Sequence, residues 1–160
     1  CEALTCYGSS LLEVVMKTVR EVAIEIPNKP GALSNIIELL GANGIYALGL
    51  NIHVSRDQGN LKLVTSDPSR TQNILESAGF SASINDRIVV ETPKHPGALT
   101  AILKPLKAVG VNLENMYYLQ GAFSPLQRPL LVLAVDDNAK AFDALSQDWI
   151  KVKDEDVLNY

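Results

Sequence analysis

The chain alternates between two periods of hydrophobic spacing, and it does so twice. Val22, Ile24 and Ile26 alternate with Glu21, Ala23 and Glu25, which predicts a strand over 18–26 with one apolar face. Leu33, Ile36, Ile37 and Leu40 then recur at i, i+3, i+4 and i+7, the core-facing stripe of a helix that starts near Pro30 and ends at Gly41, Asn43 and Gly44. Residues 45–55 and 61–65 read as strands, joined through a turn containing Gly59. Asp67-Pro68 opens a second helix as N-cap and first helical residue, with Ile74 and Leu75 inward, and Gly79 closes it before a strand over 80–84. The order is strand, helix, strand, strand, helix, strand, the split β-α-β arrangement of a ferredoxin-like sandwich.

The second half repeats this order. A strand over 87–92 precedes a helix over 96–109 with Leu99, Ile102, Leu103 and Leu106 inward, and Pro105 should kink that helix. Strands over 111–120 and 130–135 follow, separated by a longer connection. Asp137 caps a last helix with Ala141, Phe142 and Leu145 inward, and Ile150 and Val152 sit in a short final strand. The fold class is therefore α+β, two tandem βαββαβ sandwiches. The units span 16–86 and 87–155, with almost no linker, so they should pack against each other as one joined sheet or a face-packed pair.

The halves align at an offset of 66 positions, Pro30 with Pro96. In that register Glu25/Glu91, Pro27/Pro93, Gly31/Gly97, Leu33/Leu99, Ile36/Ile102, Leu40/Leu106 and Gly44/Gly110 are identical, which marks an internal duplication. The most alike stretch is the turn from first strand to first helix, Pro27-Asn28-Lys29-Pro30-Gly31-Ala32-Leu33 and Pro93-Lys94-His95-Pro96-Gly97-Ala98-Leu99. Pro27 and Pro93 end the strand because proline cannot donate to a sheet ladder. Pro30 and Pro96 suit a first helical turn, and the glycines leave backbone that a ligand can approach. The unpartnered first amides of the helix, with the macrodipole, suit a small anion such as a carboxylate. An isolated turn of this composition is more often only a turn. The duplication favours a site.

Composition narrows the function classes. The chain has 160 residues, a formal net charge of −4 and 14 Lys+Arg without a basic block, which disfavours a nucleic-acid partner. No apolar run has the length of a membrane span. Cys1 and Cys6 lie in the N-terminal tail, and with only His53 and His95 there is no metal-ligand spacing. No nucleophile–base pair or phosphate loop is visible, so neither catalysis nor a cofactor is expected. Residues 1–15 read as an upstream extension before Met16, the alternative being a short docking segment through Leu11, Leu12, Val14 and Val15; residues 156–160 read as a tail.

A strand, then Asn-Lys-Pro-Gly-Ala-Leu, an apolar helix, and Gly-Ile or Gly-Val opening the next strand together resemble the ACT domain, in two copies from Val19 to about Val152. The resemblance is closest to stand-alone tandem ACT proteins. It implies a non-catalytic regulatory protein of amino-acid metabolism, with a free L-amino acid as effector and an amino-acid metabolic enzyme as a possible partner; a reducing cytoplasm is the default compartment, and the exposed sheet edges of a two-unit chain point to a homodimer. An oligomerisation module without ligand is the alternative. The resemblance places the effector where the loop of one unit meets the start of the second strand of a neighbouring unit. Asn28 and Lys29 would be the polar loop residues, and Pro30, Gly31, Ala32 and Leu33 would supply backbone amides. Ile45, Tyr46 and Ala47 would line the pocket. In the second copy Lys94 and His95 replace the Asn and Lys, Gly97, Ala98 and Leu99 correspond to the amide donors, and Asn112 and Leu113 to the strand. The first loop is the better site because Lys94 departs from the motif.

Overall fold

The computed structural model describes residues 18–92, 96–123, 129–147 and 152–153. The first unit comprises β1 (Thr18–Pro27), α1 (Ala32–Ala42), β2 (Ala47–Ser55), β3 (Gln58–Thr65), α2 (Pro68–Ser77) and the start of β4 (Ala82–Glu91). The second comprises the end of β4, α3 (Ala98–Ala108), β5 (Leu113–Phe123), β6 (Pro129–Val135), α4 (Asn138–Gln147) and β7 (Val152–Lys153). The N-terminal extension, Pro93, Lys94, His95, Ile150 and the C-terminal tail lie outside the described residues.

The helix starts follow local chemistry. Asp67 caps α2 by accepting from the Arg70 amide at 3.0 Å, and Asp137 accepts from the Lys140 amide at 3.0 Å at the head of α4. Gly31 and Gly97 cap α1 and α3 with φ of 84° and 83°, a left-handed conformation that favours glycine. Pro30 and Pro96 therefore precede the cap, two positions before the first helical residue rather than in the first turn. Pro105 is buried within α3, which runs on through it to Ala108.

One expectation is overturned by the sheet. The strands expected over 80–84 and 87–92 are a single strand, β4, and the expected unit boundary falls in its middle. Its first half pairs antiparallel with β1, Ala82 opposite Ile24 and Ile88 opposite Thr18. Its second half pairs with β6 on the far edge, Ile88 opposite Leu133. Beyond the start of β1, the near edge of β4 is taken by β7, Val89 opposite Lys153. The two sandwiches thus share one seven-stranded sheet, β2-β3-β1-β4-β6-β5 with β7 beside β4. The sheet curls until its ends meet, and β2 lies against β5.

An approximate two-fold axis relates the units. Arg20 and Asp86, equivalent in the repeat, stand directly opposite each other in the β1–β4 ladder. The β2–β5 contact has the same symmetry. Asn115 donates to Asn51 at 3.1 Å, while Gly49 faces Tyr117 and Leu119 so closely that a Cβ there would lie 2.6 Å from Leu119 Cδ2. Position 49 is the repeat equivalent of 115, and 51 of 117.

Three cores result. Ile24, Ile36, Leu40, Leu61 and Leu75 pack α1 and α2 on the first half-sheet, and Ile88, Ile102, Leu106, Leu133 and Leu145 pack α3 and α4 on the second. Leu99, expected inward, is 37% exposed at the head of α3. The third core lies on the sheet face away from the helices. There Val19, Leu48, Val64, Val89, Tyr117, Leu119, Leu130 and Val132 join the units. The alternation in β1 predicts a polar face at Glu21, yet Glu21 is fully buried because that face meets the other half-sheet.

Candidate functional site

The loop of the first unit is held at both ends. Beyond Pro27, the Asn28 amide donates to Asp57 O at 2.9 Å and the Asn28 side-chain amide donates to Arg56 O at 2.8 Å. Both acceptors belong to the β2–β3 turn, so Asn28 clamps the loop to that hairpin. The Lys29 amide donates to Pro27 O at 2.9 Å and the Ala32 amide to Lys29 O at 3.1 Å. Of the expected donors, Pro30 has no N–H and Ala32 has spent its own. The amides of Gly31 and Leu33 remain at the helix start, where the dipole favours an anion. Beside the loop lies an open cleft of about 820 Å³, whose polar lining includes Glu25, Lys29, Asp57, Asn60 and Ser83. It exists because β4 starts opposite Ile24, leaving the edge of β1 from Glu25 to Pro27 uncovered.

Ile45, Tyr46 and Ala47 lie at the other end of this unit, after α1. The Ile45 amide donates to Leu40 O at 3.0 Å and the Tyr46 amide to Ser66 Oγ at 3.1 Å, and Tyr46 is 72% exposed. Within one unit, then, the loop and the opening of the second strand are not brought together. Between units the antiparallel run of β2 against β5 carries the start of β5, with Asn112 and Leu113, toward the end of β2 that leads to the Asn28 clamp. Asn112 itself is fixed by its amide donating to Asp136 Oδ1 at 3.0 Å, and Leu113 packs partly into the second core. In the second loop Gly97 repeats the Gly31 turn, Ala98 is buried and Leu99 exposed; Lys94 and His95 lie outside the described residues.

The two-fold axis carries a charge pair that sequence reasoning passed over. Glu21 Oε1 accepts from Arg87 Nε at 3.0 Å, and Glu21 Oε2 accepts from the Tyr117 hydroxyl at 2.7 Å. Burial, followed by the neighbouring Glu21 charge and hydrogen bond, pushes the Tyr117 hydroxyl far above its ordinary range, so it donates throughout the neutral range. Glu21 and Arg87 are repeat equivalents, as are Arg20 and Asp86. Opposite signs at equivalent positions beside the axis were the available signal. Among the described residues no group of three His, Cys, Asp or Glu is arranged to hold a metal ion. No described helix is long and apolar enough to cross a membrane.

The family model described as an ACT domain pair matches residues 17–159. The chain belongs to the ACT domain pair family. None of the curated proteins matches it. Among solved structures, protein BT0572 from Bacteroides thetaiotaomicron is 27% identical, with a TM-score of 0.75 over 84% of this chain and 91% of that one. The regulatory subunit of aspartate kinase from Thermus thermophilus, in its ligand-free form, is 16% identical with a TM-score of 0.58 over 83% and 93%. That from Thermus flavus is 17% identical with a TM-score of 0.53 over 81% and 92%. The last two likenesses establish the shared fold.

Proposed function

We propose that this ACT domain pair is a non-catalytic, cytoplasmic regulatory protein that binds a free L-amino acid and acts as a homodimer on an amino-acid metabolic enzyme. The observation that carries the reading is the Gly31 turn at the head of α1 beside a cleft holding both signs of charge, Lys29 with Glu25 and Asp57. An amino acid carries a carboxylate and an ammonium and needs both. The fold shared with two structures described as regulatory subunits of aspartate kinase supports it. A second reading, an oligomerisation module without ligand, draws on the Asn28 side-chain amide being committed to Arg56 O.

Titration of the variant Asn28→Ala decides between them. Asn28 sets the loop against the hairpin and leaves its side-chain oxygen as an acceptor, so its loss should weaken binding by about 1–3 kcal/mol. The fold should persist, because Asn28 is exposed. Lys94→Ala should act less and its effect should fade with salt. Calorimetry showing binding intact in Asn28→Ala and abolished in Lys94→Ala would move the site to the second unit. Heat from no amino acid at all would favour the oligomerisation module.

A further inference from the structure

The layer between the half-sheets is apolar on one side of the two-fold axis and polar on the other. Tyr117 and Leu119 of β5 cover Gly49 of β2, with Leu48 beside it, and Leu130 and Val132 of β6 close the space beneath. The repeat carries each of these positions to a partner across the axis. Tyr117 corresponds to Asn51, Leu119 to His53, Leu48 to Glu114 and Gly49 to Asn115. In the ladders Asn51 pairs with Lys62 as Tyr117 pairs with Val132. Asn60 stands two residues before Lys62, as Leu130 stands two before Val132. The side chains that fill the apolar half are thus replaced across the axis by Asn51, His53, Asn60, Lys62, Glu114 and Asn115. These six line a cavity of about 540 Å³, together with Ile52.

Filling this space with apolar groups, as on the other side, would be the stabilising choice for a structural seam. The polar half instead holds a cation, an anion and three side-chain amides, two of which, Asn51 and Asn115, are fixed by their mutual hydrogen bond. Neither Lys62 nor Glu114 makes an ion pair among the described residues. Its volume lies within the roughly 300–1,000 Å³ of small-molecule sites, and its lining is more polar than is usual for them, which suits a charged ligand.

We propose that this crevice between β2 and β5 is a second ligand site, and that it takes a small zwitterion, an α-amino acid held by its carboxylate at Lys62 and its ammonium at Glu114. It lies on the sheet face away from the helices, apart from the Gly31 turn. It shares with the proposed function the ligand class and one lining residue, Asn60, but Lys62 and Glu114 line only the crevice and Asn28 belongs only to the loop, so variants at those three positions let either site fail without the other.

The test is calorimetric titration of the full chain with each of the twenty common L-amino acids, on the wild type and on Lys62→Val, Glu114→Gln and Asn28→Ala. Lys62→Val copies Val132 and Glu114→Gln changes an exposed residue, so both should fold, which melting curves check. The expected result is a binding event weakened about 10- to 100-fold by each of Lys62→Val and Glu114→Gln, the usual loss of a charged hydrogen-bond partner, and unmoved by Asn28→Ala. Amide resonances of Asn51 and Asn115 should shift with that event. Binding that responds to Asn28→Ala alone overturns the crevice and leaves the loop site standing. Binding that responds to Lys62→Val and Glu114→Gln alone leaves the crevice standing and removes the loop. Heat from none of the twenty overturns both.

Discussion

Replacing Glu21 by Ala should cost the protein about 3–5 kcal/mol of stability, the usual cost of removing one partner from a buried ion pair. Glu21 is fully buried, and its loss strands the Arg87 guanidinium and the Tyr117 hydroxyl together in the layer between the units. Arg87 retains 15% exposure and so keeps some access to water, which places the expectation at the lower end. The same pair specifies which unit faces which. Glu21 and Arg87 occupy equivalent positions about the axis, so a first unit paired with its own kind would oppose two carboxylates, and a second unit two guanidiniums. Glu21→Arg alone should therefore destabilise at least as much as Glu21→Ala. Adding Arg87→Glu should recover much of that loss, a coupling that denaturant unfolding of the four proteins in the cycle measures. Equal stability of Glu21→Arg with and without Arg87→Glu would remove the pair from this role.

Leu130→Ala should cost about 2–5 kcal/mol, as for other fully buried leucines, and should shift one transition rather than split it. Leu130 has no exposed surface and belongs to the layer that β1, β2 and β3 of the first unit share with the end of β4, β5 and β6 of the second. Strand β4 also runs unbroken through both units, so neither sheet has an end of its own at the boundary. Calorimetric scanning should show a single unfolding transition in wild type and variant alike. Two separated transitions, with only the later one moved by Leu130→Ala, would mean that the units fold independently.

Most of the fold was legible because the helices carry their own period and their own start or stop signals. Leu33 to Leu40 and Leu99 to Leu106 announce α1 and α3, Asp67 and Asp137 announce the starts of α2 and α4, and Gly44, Gly79 and Gly110 the ends of the first three. What periodicity does not carry is the environment of the second sheet face. Glu21 alternates with Val22 as a surface glutamate would, and nothing local reveals that a half-sheet 66 residues later covers it. The merging of two predicted strands into β4 was hidden for a similar reason. Asn85, Asp86 and Arg87 look like a polar linker, but they face the first unit across a ladder that only the assembled sheet provides.

The candidate site was legible in part. The Gly31 turn stands where the repeat placed it. The sequence motif could not show that Asn28 reaches to the β2–β3 turn, or that Ala32 spends its amide on Lys29, because both depend on how the loop closes. Tyr46 lies at the far end of its own unit because α1 separates the loop from the strand by the length of a helix. The crevice residues escaped notice because Asn51, His53 and Lys62 read as the solvent face of a hairpin. Their comparison with Tyr117, Leu119 and Val132 becomes meaningful only once β2 is known to lie against β5.

The measurement that bears most directly on the account is a thermal-shift panel of the common L-amino acids with the full chain. A ligand that binds only the folded protein stabilises it by about 2.7 kcal/mol at a hundredfold excess over its dissociation constant. The account predicts that one amino acid, or a few chemically related ones, raises the melting temperature with a saturable dose dependence while its D-enantiomer does not. A melting temperature unchanged by every L-amino acid at millimolar concentration would contradict it.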